Sequence, residues 1–339
     1  MSRHSHRPTG TQSSDHATAS SSLLSDIGLI GLSDLEPIIL AALATEEPLL
    51  LIGPHGTGKS LLLTRIAEAL GLAFRHYNSS LLNFDDLVGF PMPNKNGTLE
   101  YMKTPASIWG AEAVIFDEIS RCRPDIQNKL FPIIHERRAQ GILLDGLRYR
   151  WAAMNPPMSE DDDEGYLGSE PLDPALTDRF AFVVNMPSWD RYNEAEQLAI
   201  ILADDSAVTV SSAAKLRTAV ASTDAALQSI KESIGDAVAV YVRTLVALLA
   251  RAGVSLSPRR AGMLRRSVLA VHAAALTLNA DASPANSALL AVRNGLPQIA
   301  EGRTVSETKL LGAHREAWRL AGVKPGDPLR AILTTADPV

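Results

Sequence analysis

The sequence predicts an α/β fold: a parallel sheet covered by helices, followed by a smaller all-helical domain. Three features of the 339 residues point there. Short apolar runs alternate with amphipathic helical stretches over roughly the first half, the pattern of a parallel sheet whose crossovers are helices. The first apolar run leads directly into a glycine-rich turn that opens a helix. After Pro187 the strand-like runs stop, and Ala- and Leu-rich helical sequence takes over.

Taken in order, residues 1–22 are rich in Ser, Thr and His with almost nothing to bury, which predicts a disordered tail. Within it His4, His6 and His16 read as solvated side chains rather than a metal site. A helix is predicted over 35–44. Leu49-Leu50-Leu51-Ile52 then reads as a buried strand, by its length and by the glycine that ends it. The helix over 60–70 places Leu63, Ile66, Ala67 and Leu70 on one face and stops at Gly71. Further buried strands are expected over 73–77, 113–116, 150–154 and 180–184. A hairpin is expected over 141–150, turning at Asp145-Gly146, because Asp-Gly between apolar runs is a strong turn signal. Helices are expected over 195–202, 213–234, 236–252 and 258–278. No internal repeat is visible.

Composition narrows the function classes. A length of 339 residues suits two compact domains. Net charge is −6, so no overall positive field recruits nucleic acid or an anionic membrane surface. Cys122 is the one cysteine, which excludes an intrachain disulfide and a cysteine metal cage and fits a reducing compartment. No apolar run approaches the roughly 20 residues that span a bilayer. The start lacks the apolar centre of a secretory leader. A cytoplasmic protein is expected.

The chemistry concentrates in two places. Gly53-Pro54-His55-Gly56-Thr57-Gly58-Lys59-Ser60, continued by Leu61, matches G-x-x-x-x-G-K-[ST] in full. Glycines allow a tight loop whose N–H groups face phosphate oxygens, and the following helix offers its positive end to the same anion. Lys59 would reach the β/γ phosphates, and Ser60 would ligate magnesium. The second place is Val114-Ile115-Phe116-Asp117-Glu118, an apolar strand ending in two acids. Adjacent carboxylates at the tip of a buried strand need a cation or a reaction to justify them, although acids also suit a helix's first turn. Asp117 would hold magnesium, mostly through water, and Glu118 would activate the attacking water. Together the two motifs specify an ATP- and magnesium-dependent hydrolase of the phosphate-loop type, with a nucleotide-binding core over 23–190 and a helical lid over 191–339.

On the GPHGTGKS loop, FDEISRCRPDIQNKLFPIIHERR, WAAMNPP, PLDPALTDRF and SPRR, in that order, the chain resembles AAA+ ATPases. Within them it resembles the MoxR-like group, related to dynein-related and chelatase-subunit ATPases. The resemblance covers about 35–266. It implies that Asn155 is sensor 1, a polar side chain reporting on the γ-phosphate, and that Arg179 is the arginine finger serving a neighbouring subunit's ATP. It implies that Arg259 is sensor 2 on the lid, with Arg260 beside it as the alternative. Bare chemistry leaves other readings open: Asn155 as a turn cap, Arg179 as an ion-pair partner of Asp178, and the cluster Arg259, Arg260, Arg265 and Arg266 as a solvated face. Arg121 and Arg123 compete for the inter-subunit role. Residues 87–101 resemble the second-helix insertion of this clade, and 141–150 its hairpin before sensor 1. The acidic stretch 160–164 departs from the pattern.

The resemblance implies an ATP-driven, chaperone-like remodeller working as a hexameric ring that acts with a von Willebrand factor A domain protein on a client protein. Metal-cofactor insertion is one form of that work. The alternatives are a DNA-acting AAA+ motor subunit, which the negative charge disfavours, and a metal-chelatase ATPase subunit.

Overall fold

The computed structural model describes residues 22–157, 169–203 and 208–322. The expected tail, apart from Ser22, and the acidic stretch 160–164 lie outside the described residues. In chain order the elements are α1 (Leu23–Asp26), α2 (Glu36–Thr45), β1 (Leu49–Ile52), α3 (Lys59–Leu70), β2 (Phe74–Asn78), α4 (Phe84–Val88), β3 (Phe90–Pro93), β4 (Leu99–Met102) and β5 (Ala113–Asp117). There follow α5 (Pro124–Glu136), β6 (Arg138–Ala139), β7 (Ile142–Leu143), β8 (Tyr149–Met154), α6 (Pro174–Thr177) and β9 (Phe182–Asn185). The helical region comprises α7 (Glu194–Leu202), α8 (Val210–Arg251), α9 (Pro258–Leu278), α10 (Pro284–Arg293) and α11 (Glu307–Ala321).

Five parallel strands form the central sheet in the order β2-β5-β8-β1-β9. Its inner strands are largely apolar because helices cover both faces, though β8 carries the buried Arg150. Alternation along each strand sorts the core in two. Leu49, Leu51, Ile115, Trp151 and Val184 face α2, α3, α8 and α9. Leu50, Ile52, Phe116, Met154 and Val183 face α5 on the other side. The first of these cores runs without a break into the helical region, so the change of element type after Pro187 is no gap in the packing. Register then sets the site. Ile52 lies beside Met154, Asn78 beside Asp117 and Phe116 beside Ala152, so the residues that follow each strand emerge along one edge.

Four local expectations are corrected. The helices expected over 213–234 and 236–252 are one helix, α8, of 42 residues. Gly235 does not break it, because the Arg265 side chain of α9 packs against that point, Nε donating to the Gly235 carbonyl at 3.3 Å. The hairpin turn is at Gln140-Gly141, joining β6 to β7, and not at Asp145-Gly146, which turns the chain from β7 towards β8. Gln140 and Gly141 both have positive φ (51° and 77°), the requirement of the two-residue turn that matches strand twist. The last strand begins at Phe182, since Phe180 and Ala181 still close the turn after α6. Finally, α8 is long and apolar enough by composition to span a bilayer. Here it is a docking helix instead, with Leu245, Leu249 and Tyr241 buried against its neighbours α9 and α11.

Candidate nucleotide site

The loop 53–58 leaves β1 and enters α3, and the sequence reason is conformational. Gly56 and Gly58 both sit at φ 77°, in the left-handed region that side chains avoid, with open space where a Cβ would project. The result is a cradle whose floor is backbone. Helix α3 has no side-chain cap at its N-terminus. Among the described residues the N–H groups of Gly56, Thr57 and Gly58 find no protein acceptor. Unpaired donors at a helix N-terminus, beside a lysine, fit a polyphosphate.

Lys59 is buried and lies in the cleft. Its Nζ donates to the carbonyls of Gly53 (2.6 Å) and Pro54 (2.8 Å) and to Asn155 Oδ1 (3.1 Å). Burial pushes its pKa down, and the nearby Asp117 and Glu118 carboxylates pull the other way. Ser60 donates its hydroxyl to Asp117 Oδ2 at 2.5 Å. Asp117 Oδ1 accepts the Glu118 N–H at 2.9 Å, and His76 Nε2 of β2 lies 3.4 Å from Oδ2. Burial alone would raise the Asp117 pKa, but these donors more than offset it and hold the carboxyl below its ordinary value. An ionised carboxylate next to a serine hydroxyl and an open cradle is a donor set suited to magnesium.

Glu118 follows with φ 51° and ψ 40°, left-handed for a residue with a side chain. Its carboxylate lies 3.8 Å from Arg121. Asn155 comes directly off β8 and is buried; its Nδ2 lies 3.2 Å from His55 Nε2. Lys59, Ser60, Asp117, Glu118 and Asn155 thus line one cleft of about 330 Å³ with His55, Gly56, Gly58 and Leu61.

The other two predicted residues stand elsewhere. Arg179 and Arg259 do not line this cleft. Arg179 folds over the Phe131 ring of α5, 4.5 Å from its centroid, and donates to the Ala175 carbonyl. It is not the ion-pair partner of Asp178. That carboxylate takes the Ser257 hydroxyl, Arg259 (3.3 Å) and Arg260 (3.4 Å). Of the two adjacent arginines, Arg260 is fully buried, donating to the carbonyls of Thr177, Phe180 and Gly295. Arg259 keeps its guanidinium at the surface. Arg260 is therefore a structural tie, while Arg259 is paired with Asp178 at the surface.

A second cavity, of about 580 Å³, shares His55, Gly56, Gly58 and Leu61 with the cleft. Its walls are Leu29, Ile30 and Leu32 before α2, and Trp189, Tyr192 and Ile200 after β9. Gly31, at φ 73°, is obligatory there: a Cβ would lie 2.5 Å from the Tyr192 ring. An apolar, partly aromatic slot opening onto a phosphate cradle has the shape and polarity for a purine base. Sequence reasoning did not find these walls. The signal available was weak: two aromatics three residues apart, just past Pro187, in a chain where aromatics make up 5%.

Comparison with known proteins agrees with this geometry. Residues 48–180 match the AAA domain family, dynein-related subfamily. Over 168 residues the chain is 29% identical to the uncharacterized protein YeaC of Bacillus subtilis, covering 49% of this chain and 50% of that protein. The chain thus spans about half the length of that curated relative. A crystal structure of a candidate ATPase from Cytophaga hutchinsonii superposes with a TM-score of 0.56 at 18% identity, covering 92% of this chain and 91% of the other. That likeness is one of fold.

Proposed function

We propose, from the premise that residues 48–180 carry an AAA+ ATPase domain, that this chain hydrolyses ATP and uses the cycle to reshape or activate a partner protein, as MoxR-like ATPases do. The observation carrying the hydrolase half is the convergence of Lys59, Ser60, Asp117, Glu118 and Asn155 on one cleft that opens into an apolar slot. Magnesium, when bound, would neutralise charge between the β- and γ-phosphates, held by Ser60 and Asp117. Lys59 would exchange its loop carbonyls for phosphate oxygens. Glu118 would take the proton of the attacking water, and Asn155 would orient that water. Arg179, which does not line its own cleft, suits a neighbour's, and a ring of six copies is the arrangement proposed.

The partner half is supported by two hairpins. Phe90, Met92 and Met102 are about half exposed on the β3–β4 hairpin, as are Ile142 and Leu143 on β6–β7. Large apolar side chains kept in water on short two-stranded ribbons suit a docking surface. A von Willebrand factor A domain protein is the proposed partner, a client protein the proposed target, and the cytoplasm the proposed compartment.

The test is a pair of substitutions. Lys59→Ala should lose nucleotide binding, because the loop keeps its N–H donors but loses its cation. Glu118→Gln should keep ATP affinity and lose turnover, since every phosphate and magnesium contact survives. Equilibrium binding and phosphate release measure the two, and a Glu118→Gln variant turning over like the parent would remove Glu118 from the chemistry.

A further inference from the structure

We infer that His76 is a positioning residue for the magnesium site, its imidazole fixing the orientation of the Asp117 carboxylate. This role presupposes the ATP–magnesium reading of the cleft. His76 stands on β2, whose residues Asn78 and His76 lie beside Asp117 and Ile115 of β5. Side chains alternate along a strand, so His76 shares a face with Asp117 and sits one pleat back on the neighbouring strand, within diagonal reach. At 38% side-chain exposure it fills no core space, yet Nε2 is directed at Asp117 Oδ2, 3.4 Å away.

The carboxylate shows why that contact matters. Oδ1 is held by the Glu118 N–H and Oδ2 by the Ser60 hydroxyl. Ser60 is itself the other side chain offered to the cation, so its hydroxyl has two duties at one oxygen. Among the described residues, that shared hydroxyl is the one other donor to Oδ2. With the proton on Nε2, His76 supplies a second donor to that oxygen, from β2 where Ser60 donates from α3. Outer partners of this kind set how well a ligating group is aimed, and losing one lowers metal affinity by about 10- to 100-fold.

The experiment titrates magnesium into the full chain at a fixed concentration of a fluorescent ATP analogue, with a parallel arm in EDTA. It compares the parent, His76→Ala, His76→Gln and Asp117→Asn, each checked for folding by thermal melting. In His76→Ala the EDTA affinity should be unchanged while the half-saturating magnesium concentration rises roughly tenfold or more. His76→Gln, whose amide can donate to the same oxygen, should recover most of the difference, and Asp117→Asn should be at least as impaired as His76→Ala. A magnesium midpoint in His76→Ala equal to the parent's overturns the role. So does equal impairment in Ala and Gln, which would mark the ring as a structural filler. A parent whose nucleotide binding ignores magnesium overturns the ATPase reading itself, and this inference with it.

Discussion

Glu118 holds a backbone conformation that costs an L-residue on the order of 1 kcal/mol, at φ 51° and ψ 40°. It does so because Asp117 must end the strand pointing at Ser60 while the chain turns at once into the single turn Ile119–Arg121. The side chain is thereby thrown out at the cleft instead of continuing the strand. A glycine would occupy that backbone without strain, offset by the larger entropy of its unfolded chain. Glu118→Gly should therefore melt within about 1 kcal/mol of the parent while losing hydrolysis. A strongly lowered melting temperature would mean that the Glu118 side chain, through Arg121, is a structural tie. At this scale the sequence was most readable where one motif fixes one backbone shape. The loop 53–60 and the acid pair 117–118 are local patterns, and the structure puts them where local chemistry demands. His76, Trp189 and Tyr192 escaped because each gains its meaning from a neighbour far along the chain, 41 residues away for His76 and Asp117.

Elements were legible wherever periodicity and a stop signal coincided. The strand Leu49–Ile52 and the helix Pro258–Leu278 stand where pattern and flanking residues placed them. Gly235 misled because a glycine within a helical pattern reads as a breaker. Tertiary contact decided otherwise, with Arg265 reaching its carbonyl across the α8–α9 contact. The same packing makes a test. A Cβ at residue 235 would meet only Arg265 Nη2, at 3.1 Å, the mobile end of a long side chain. Gly235→Ala should thus gain most of the roughly 1 kcal/mol of helix propensity that separates the two residues, raising the melting temperature by about 2 °C. A fall on thermal denaturation would show that Arg265 cannot yield. The misplaced hairpin turn has a similar cause. Asp145-Gly146 and Gln140-Gly141 both offer turns, and the strand pairing Arg138 with Leu143 chose the less conspicuous one.

At the scale of the whole molecule, the question is what a single copy lacks. Its cleft holds a lysine but not Arg179, which is docked on Phe131 instead. If Arg179 serves an adjacent copy, Arg179→Ala should bind ATP and hydrolyse it ~10³-fold more slowly, the scale for removal of an arginine finger. Mixing it with Lys59→Ala copies should restore turnover, because a mixed contact can pair an intact loop with an intact arginine. Turnover never exceeding the sum of the separate preparations, in assemblies shown to be mixed, would rule this out. Nothing along the sequence could have located Arg179 relative to the cleft; that distance is set by how β9 and α6 pack, not by spacing.

Arg260 adds a mechanical corollary. Its guanidinium, on the first turn of α9, is shared among carbonyls at Thr177, Phe180 and Gly295, so it clamps the residues on both sides of Arg179 to the helical region. A clamp with three grips on two stretches of chain acts as a crank pin. The α9 helix cannot swing without carrying 177–180 along, and Arg179 with them. The stretch that leads towards α8 also supplies Trp189, Tyr192 and Ile200 to the apolar slot. If Arg179 serves another copy, Arg260 is the part that would pass a movement of α9 on to that arginine.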